Sequence, residues 1–172
     1  MILTDAVIMS VKPILENDLL VELLTESVGR IRAFAKYAQS NKPRFGGLLA
    51  TFNHVSVRLY ESKTSFKLSD VQIVDGFNSL KSNFEALSTA YSIIEVVRTM
   101  TQIGIENQAL FKQTKVALKR LNTQPIDSEF LKEFYYFLLK SEGLISEEVN
   151  LNEKDYKKMI ESYTGIKLRN QL

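Results

Sequence analysis

Residues 30–37 have the side-chain types and spacing that suit contact with a nucleic acid. Side chains on a β-strand alternate between its two faces, so every second residue of this segment points the same way. One face is small and apolar. The other offers cations for phosphate groups around an aromatic ring on which a base can stack. The residues of this second face are Arg30, Arg32, Phe34 and Lys36.

A second predicted strand, residues 54–60, repeats this alternation. Arg58 and Tyr60 share an outward face with His54, and if the two strands lie in one sheet they extend the cationic and aromatic surface. We interpret His54 as a polar surface residue rather than a catalytic base, because no serine or carboxylate motif supplies it with a partner. The alternative for residues 30–37 is an ordinary solvated basic face, with Phe34 packed beneath a neighbouring element.

The loop between these strands, residues 39–47, reads QSNKPRFGG. Lys42 and Arg44 flank a proline, and the two glycines that follow allow the backbone to approach a ligand closely. Such a loop would clamp a nucleic-acid strand, although an ordinary surface loop fits the same residues. Local charge favours contact with phosphate groups in this part of the chain, because residues 27–60 contain six lysines and arginines and no aspartate or glutamate.

The composition excludes several classes of site. The chain has 172 residues, no cysteine and one histidine, which rules out disulfides, thiol chemistry and cysteine-held zinc or iron–sulfur centres. It contains no nucleotide-binding loop, nucleophile motif or recognisable pair of catalytic acids, so we predict a protein that is not an enzyme and has no catalytic residue, cofactor or metal. The net charge of +2 is too small to indicate a polyanionic partner by itself.

The sequence also predicts where the protein works. No apolar run approaches ~18 residues, the length that a membrane-spanning helix needs. The first residues have no basic leader and carry Asp5 inside their apolar run, which is typical of a strand rather than of an export signal. We therefore expect a cytoplasmic protein, associated with the nucleoid if it binds DNA, without membrane contact.

These candidate residues lie within a predicted barrel. Before Gly76, five short segments rich in valine, isoleucine and aromatic residues are separated by turn-forming residues. This spacing favours a small five-stranded barrel of the OB type, and an SH3-like barrel is the main alternative. The predicted strands are residues 6–11, 19–24, 30–37, 54–60 and 66–74.

After Gly76, apolar residues recur at steps of three and four, as they do on amphipathic helices. Helices are predicted over residues 80–100, 110–121 and 129–140, with Asp127 a candidate N-cap of the third. A fourth follows Asn152 and ends at Gly165. The predicted fold class is α+β, with an OB domain at residues 1–76 and an α-helical bundle at residues 77–172.

The second predicted helix carries a basic stripe, since no acidic residue occurs between Glu106 and Asp127. Its lysines recur at three- and four-residue steps and so share one face of the helix. A solvated face is the usual explanation. The functional alternatives are a second DNA contact or a binding site for an acidic peptide. The lysines are Lys112, Lys115 and Lys119.

The order of these residues resembles the N-terminal half of RecO, a family of bacterial recombination and repair mediators. The likeness includes the GR turn at residues 29–30 and KYA at residues 36–38. Its most specific element is RFGGLL at residues 44–49, directly after the basic loop. The resemblance is strong up to Tyr60 and looser from there to GIKL at residues 165–168.

The resemblance implies an OB domain, joined to a helical domain, that binds single- and double-stranded DNA and anneals complementary strands. It implies RecR and the acidic tail of single-stranded-DNA-binding protein as partners, and through them help in loading RecA. The basic stripe on the second helix then becomes a candidate for the tail. The implied DNA contacts are Arg30, Arg32, Lys36, Lys42 and Arg44.

Two features depart from the family pattern. Many members hold a structural zinc with four cysteines in the helical domain, and this chain has none, so we expect a zinc-less member. The chain is also shorter than those family members, and residues 143–152 occupy the place of their longer insertion. From the residues alone, a protein-interaction adaptor and an RNA-binding barrel remain competing classes. No residue pattern indicates recognition of a 2′-hydroxyl group, so the sequence does not separate RNA binding from DNA binding.

Overall fold

A computed structural model describes residues 1–14, 16–39, 45–63, 65–146 and 149–169. Strands come first along the chain and helices follow, as predicted. The strands are β1 (Ile2–Pro13), β2 (Leu19–Thr25), β3 (Gly29–Ala35), β4 (His54–Glu61) and β5 (Phe66–Asp75). The helices are α1 (Asn78–Ser82), α2 (Phe84–Met100), α3 (Gln108–Thr123), α4 (Phe130–Ser141) and α5 (Glu153–Thr164).

The five strands form a closed barrel in the order β1-β2-β3-β5-β4. The long first strand pairs antiparallel with both β2 and β4. A short parallel pairing of β3 with β5 completes the ring, joining Ala33 to Phe66 and Phe34 to Lys67. This topology confirms the predicted OB-type barrel.

Alternation of side chains along each strand builds the barrel core. On β3, Ile31, Ala33 and Ala35 are fully buried, whereas Arg32 and Phe34 between them are exposed. Burial of each large aliphatic side chain contributes roughly 1.5–3 kcal/mol. The register of β3 is therefore well specified, because a slip of one residue would carry Arg32 into the core.

By its contacts the chain divides into two compact units. Residues 102–115 belong with the barrel, a grouping that no sequence pattern predicts. The predicted domain boundary near residue 76 remains a prediction. The first unit comprises Met1–Phe77 and Gln102–Lys115, and the second comprises Asn78–Thr101 and Val116–Leu172.

Within the first unit, the segment before α3 adds to the barrel beside β3. Ile103 forms an isolated parallel bridge with Arg30, and the Gly104 N–H donates to the Arg30 carbonyl oxygen at 2.8 Å. The approach is close because Gly29 has no side chain: a Cβ atom there would lie 1.9 Å from the Ile105 carbonyl oxygen. Gly29 also has a φ of +69°, in the left-handed region.

Within the second unit, one helix differs from its prediction. The sequence predicts a continuous helix over residues 80–100, but the structure has two, α1 and α2. Asn83 separates them and caps α2, its side-chain oxygen accepting a hydrogen bond from the Ala86 N–H at 3.0 Å. The prediction of an unbroken helix is wrong because asparagine competes for backbone N–H groups and favours the N-cap position over the helix interior.

The ends of the last helix are confirmed. Asn152 caps α5 by accepting from the Asp155 N–H at 3.0 Å, and Gly165 ends it at a φ of +70°. Asp127 accepts from the Glu129 N–H at 3.1 Å, but Glu129 rather than Asp127 is the N-cap residue of α4. Across the described residues, no helix combines the length and apolar character needed to cross a membrane.

The close approach at Gly29 gives a first prediction. Gly29→Ala should lower the free energy of unfolding by roughly 2–4 kcal/mol, because alanine is penalised both by the left-handed backbone and by overlap with Ile105. Urea denaturation followed by circular dichroism measures the loss. Gly46→Ala is the matched control: Gly46 also has a positive φ, +54°, but among the described residues no atom beyond its two chain neighbours lies within 4 Å of an added Cβ.

Only the backbone penalty applies at Gly46, so its variant should lose about 1–2 kcal/mol. Equal losses in the two variants would contradict the close approach of residue 105 to the barrel.

Candidate nucleic-acid interface

A row of side chains crosses the outer face of three neighbouring strands. In the sheet register, Phe34 on β3 lies opposite Lys67 on β5, and Lys67 lies opposite Tyr60 on β4. Residues directly paired across neighbouring strands share a face of the sheet. Phe34 is 38% exposed and Tyr60 is 49% exposed, so both rings offer open area to a ligand. The row therefore alternates ring, cation and ring.

These three residues line a groove on the first unit with a volume of about 590 Å³. We call it the β3-β5-β4 groove. One part of its rim is the turn that joins β4 to β5, where the Ser62 hydroxyl donates to the Ser65 carbonyl oxygen at 2.9 Å. Besides Phe34, Lys67 and Tyr60, the groove is lined by Lys36, Glu61, Ser62, Ser65 and Ser69.

The structure brings together three of the residues that the sequence singled out, Phe34, Lys36 and Tyr60. Lys36 lies in the turn after β3, because this strand ends two residues earlier than predicted. Lys67 was missed, although a signal for it exists. Lys67 and Ser69 alternate with the buried Leu68 on β5, which is the pattern that identified the face of β3.

Arg32 and Arg58 are exposed, as predicted, but each has an acidic neighbour across the sheet. Arg32 lies opposite Glu22 on β2, and Arg58 lies opposite Asp70 on β5. Both arginines lie outside the set of described residues that line the β3-β5-β4 groove. A nearby carboxylate lowers the positive potential that a phosphate group would meet. Their role as DNA contacts stays a prediction.

Arg30 is placed differently from its prediction. Its Nη1 lies 2.9 Å from Oε1 of Glu22, and the two side chains are only 11% and 8% exposed. The Ser10 hydroxyl donates to the other oxygen of Glu22 at 3.2 Å. The expectation of an open cation is therefore wrong. Residues 27–60 contain no acidic residue, but Glu22 reaches Arg30 across the sheet from the preceding strand.

The remaining predicted contacts are dispersed or lie outside the described residues. Lys42 and Arg44 lie outside them, while Phe45 next to them is buried in the barrel core. In the first unit, Lys112 is exposed, and Nζ of Lys115 lies 5.2 Å from the centre of the Phe111 ring. In the second unit, Lys119 is exposed. Tail binding by these three lysines stays a prediction.

His54 is buried, at 6% exposure, so its predicted surface position is wrong. Its Nε2 lies 3.0 Å from Oδ2 of Asp5, and its ring packs edge-on against Phe111, with 6.3 Å between ring centres. The first part of α3 thus covers His54, although alternation along β4 places this side chain on the outer face of the barrel. Burial lowers the pKa of His54, against the opposing effects of Asp5 and Asp75 and with that of Lys115.

The strand order and the outer-face groove place the first unit among OB-type barrels. Residues 1–77 match the family model described as recombination protein O N terminal. On this match and the relatives below, the chain belongs to the RecO family.

Two curated relatives illustrate the extent of the similarity. The DNA repair protein RecO of Clostridium novyi (strain NT) is 31% identical over 141 residues, which cover 81% of this chain and 55% of that protein. The DNA repair protein RecO of Myxococcus xanthus (strain DK1622) is 30% identical over 142 residues, which cover 82% of this chain and 58% of that protein. The chain thus spans about half the length of the curated relatives it matches.

The ion pair at Arg30 gives a second prediction. Arg30→Ala should lower the free energy of unfolding by about 3 kcal/mol, because it removes the cation that faces the buried Glu22 carboxylate. Urea denaturation measures the change. Arg32→Ala is the matched control on the same strand face, and since Arg32 is exposed its loss should stay below about 0.5 kcal/mol. Similar losses for both variants would contradict a structural role for Arg30.

The burial of His54 gives a third prediction. The unfolded chain takes up a proton near the ordinary histidine pKa of 6.5, whereas the folded chain resists protonation until a lower pH. This contribution to stability is present above that pKa and is lost as the pH falls through the lower folded value. His54→Gln removes the titrating group. The excess stability of the wild type over this variant should therefore shrink from about pH 7.5 to about pH 5.5.

Chemical denaturation of both proteins at the two pH values measures this difference, and their shared carboxylates cancel in the comparison. A difference that stays constant or grows on acidification would contradict the assignment.

Proposed function

We propose that this chain is a DNA repair protein whose barrel binds single-stranded DNA in the β3-β5-β4 groove. One observation carries the proposal: the row of Phe34, Lys67 and Tyr60, two exposed rings on either side of a lysine. Membership of the RecO family and the names of the curated relatives support the DNA repair role.

The geometry of the row suits an unpaired strand. Neighbouring strands lie about 4.8 Å apart, so the backbones of β3 and β4, on either side of β5, lie about 10 Å apart. Bases can then stack on the Phe34 and Tyr60 rings while Lys67 faces the phosphates that connect them. Stacking of one base contributes roughly 1–3 kcal/mol to the binding free energy and does not depend on which base it is. A base inside a duplex has both faces covered by its stacked neighbours, so this groove favours single strands.

The proposed activity makes and breaks no covalent bond. Annealing requires that the charge of two polyanions be neutralised while their bases stay available, and a cationic surface that stacks unpaired bases meets both needs. The family resemblance extends the proposal to duplex DNA, to RecR, to the acidic tail of single-stranded-DNA-binding protein and to the loading of RecA. Lys112 and Lys119 are exposed cations available to such a tail.

The groove gives a fourth prediction. The double variant Phe34→Leu with Tyr60→Leu keeps apolar bulk but removes both stacking faces, so it should bind single-stranded DNA roughly 10- to 100-fold more weakly than the wild type. Fluorescence anisotropy with a labelled oligomer of mixed sequence at moderate salt measures the affinity. Tyr91→Leu is the control, since Tyr91 is also an exposed tyrosine but lies in the second unit.

Unchanged affinity in the double variant would exclude this groove as the binding site. A wild-type chain that fails to bind DNA would favour a protein-interaction adaptor, and stronger binding of a matched RNA strand would favour an RNA-binding barrel.

A further inference from the structure

Among its described lining residues, the β3-β5-β4 groove contains one carboxylate, that of Glu61. Glu61 is the last residue of β4, directly after Tyr60, and its side chain is exposed. A negative charge is unexpected here, because the other polar lining residues are lysines and serines, which suit a polyanion. Glu61 is therefore unsuited to contact phosphate groups, and we look for a different role for it.

The backbone holds Glu61 in a defined place. Glu61 forms the last pair of β4 with β5, opposite Phe66, so it lies at the rim of the groove, beside the row of Phe34, Lys67 and Tyr60 and not within it. Directly after it, the Ser62 N–H and the Ser62 hydroxyl both donate to the Ser65 carbonyl oxygen, at 2.8 and 2.9 Å. The carboxylate is thus presented from the end of a paired strand and next to a hydrogen-bonded turn.

The chemistry of a carboxylate limits what it can contact in a bound strand. An ionised carboxylate repels phosphate and accepts hydrogen bonds without donating any. A nucleic acid in the groove therefore keeps its phosphates near Lys36 and Lys67 and away from Glu61. Stacking on Phe34 and Tyr60 uses the faces of the bases and leaves their hydrogen-bonding edges free. A base edge is the part of the strand that suits Glu61.

We infer that Glu61 gives the groove a preference for bases that carry an exocyclic amino group over thymine. The inference rests on the proposed function, since it concerns the same groove and the same ligand. Cytosine presents its N4 amino group as a donor, and carboxylates accept from this group in protein–DNA contacts. Adenine and guanine also carry amino donors. Thymine has no exocyclic amino group, and its one ring N–H donor lies between two carbonyl oxygens, which repel a carboxylate.

Binding of two homopolymers to the full chain tests the inference. The ligands are labelled deoxycytidine and deoxythymidine oligomers of about twelve nucleotides, within the range that one OB fold covers. By fluorescence anisotropy near neutral pH, the wild type should bind the cytidine oligomer roughly fivefold to tenfold more tightly. In Glu61→Gln this ratio should fall below about twofold, because an amide can donate to thymine and carries no charge.

Glu16→Gln is the charge-matched control, since Glu16 is an exposed carboxylate on the loop between β1 and β2 and lies outside the described groove lining. It should keep the wild-type ratio. Equal wild-type affinity for the two oligomers would overturn the inference and leave the proposed function standing. A preference that survives in Glu61→Gln would overturn it as well, because another group then reads the base. Failure of the wild type to bind either oligomer would overturn the proposed function itself.

Discussion

The parallel pairing of β3 with β5 is the contact on which the candidate site depends. It joins only two pairs of residues, yet it closes the barrel between strands that are not neighbours in the sequence. Through it Phe34 comes to lie beside Lys67, and the antiparallel pairing of β5 with β4 adds Tyr60 to the same row. Without this closure β3 would be an open edge of a sheet in the order β3-β2-β1-β4-β5, and the two rings would lie three strands apart.

The same cross-strand neighbours decide which charges are available to a ligand. Glu22 faces two arginines of β3, one as an ion pair and one as its partner in the register. Lys67, by contrast, lies between two aromatic residues. A cation beside a carboxylate is partly neutralised, whereas a cation between rings keeps its field for an incoming anion. Lys67 is therefore better placed than Arg30 or Arg32 to attract a phosphate group.

Residues 102–115 impose a second constraint on the first unit. They bring Ile103 beside β3 and Phe111 onto His54, although they follow the barrel strands by more than a full helix in the chain. A glycine at position 29 allows the backbone of this segment to approach closely. The barrel therefore has one outer region that is enclosed and another, at the β3-β5-β4 groove, that stays open.

The sequence alone locates the five strands and most of the helices, favours an OB-type barrel over an SH3-like one, and predicts the alternation that exposes Phe34 and Tyr60. These features follow from local periods and turn residues, which are readable along the chain. Other features emerge only from the fold: Glu22 engages Arg30, His54 is enclosed, and Lys67 completes the row. The physical reason is that ion pairing and burial depend on neighbours across the sheet and on distant segments, and a linear pattern does not contain those neighbours.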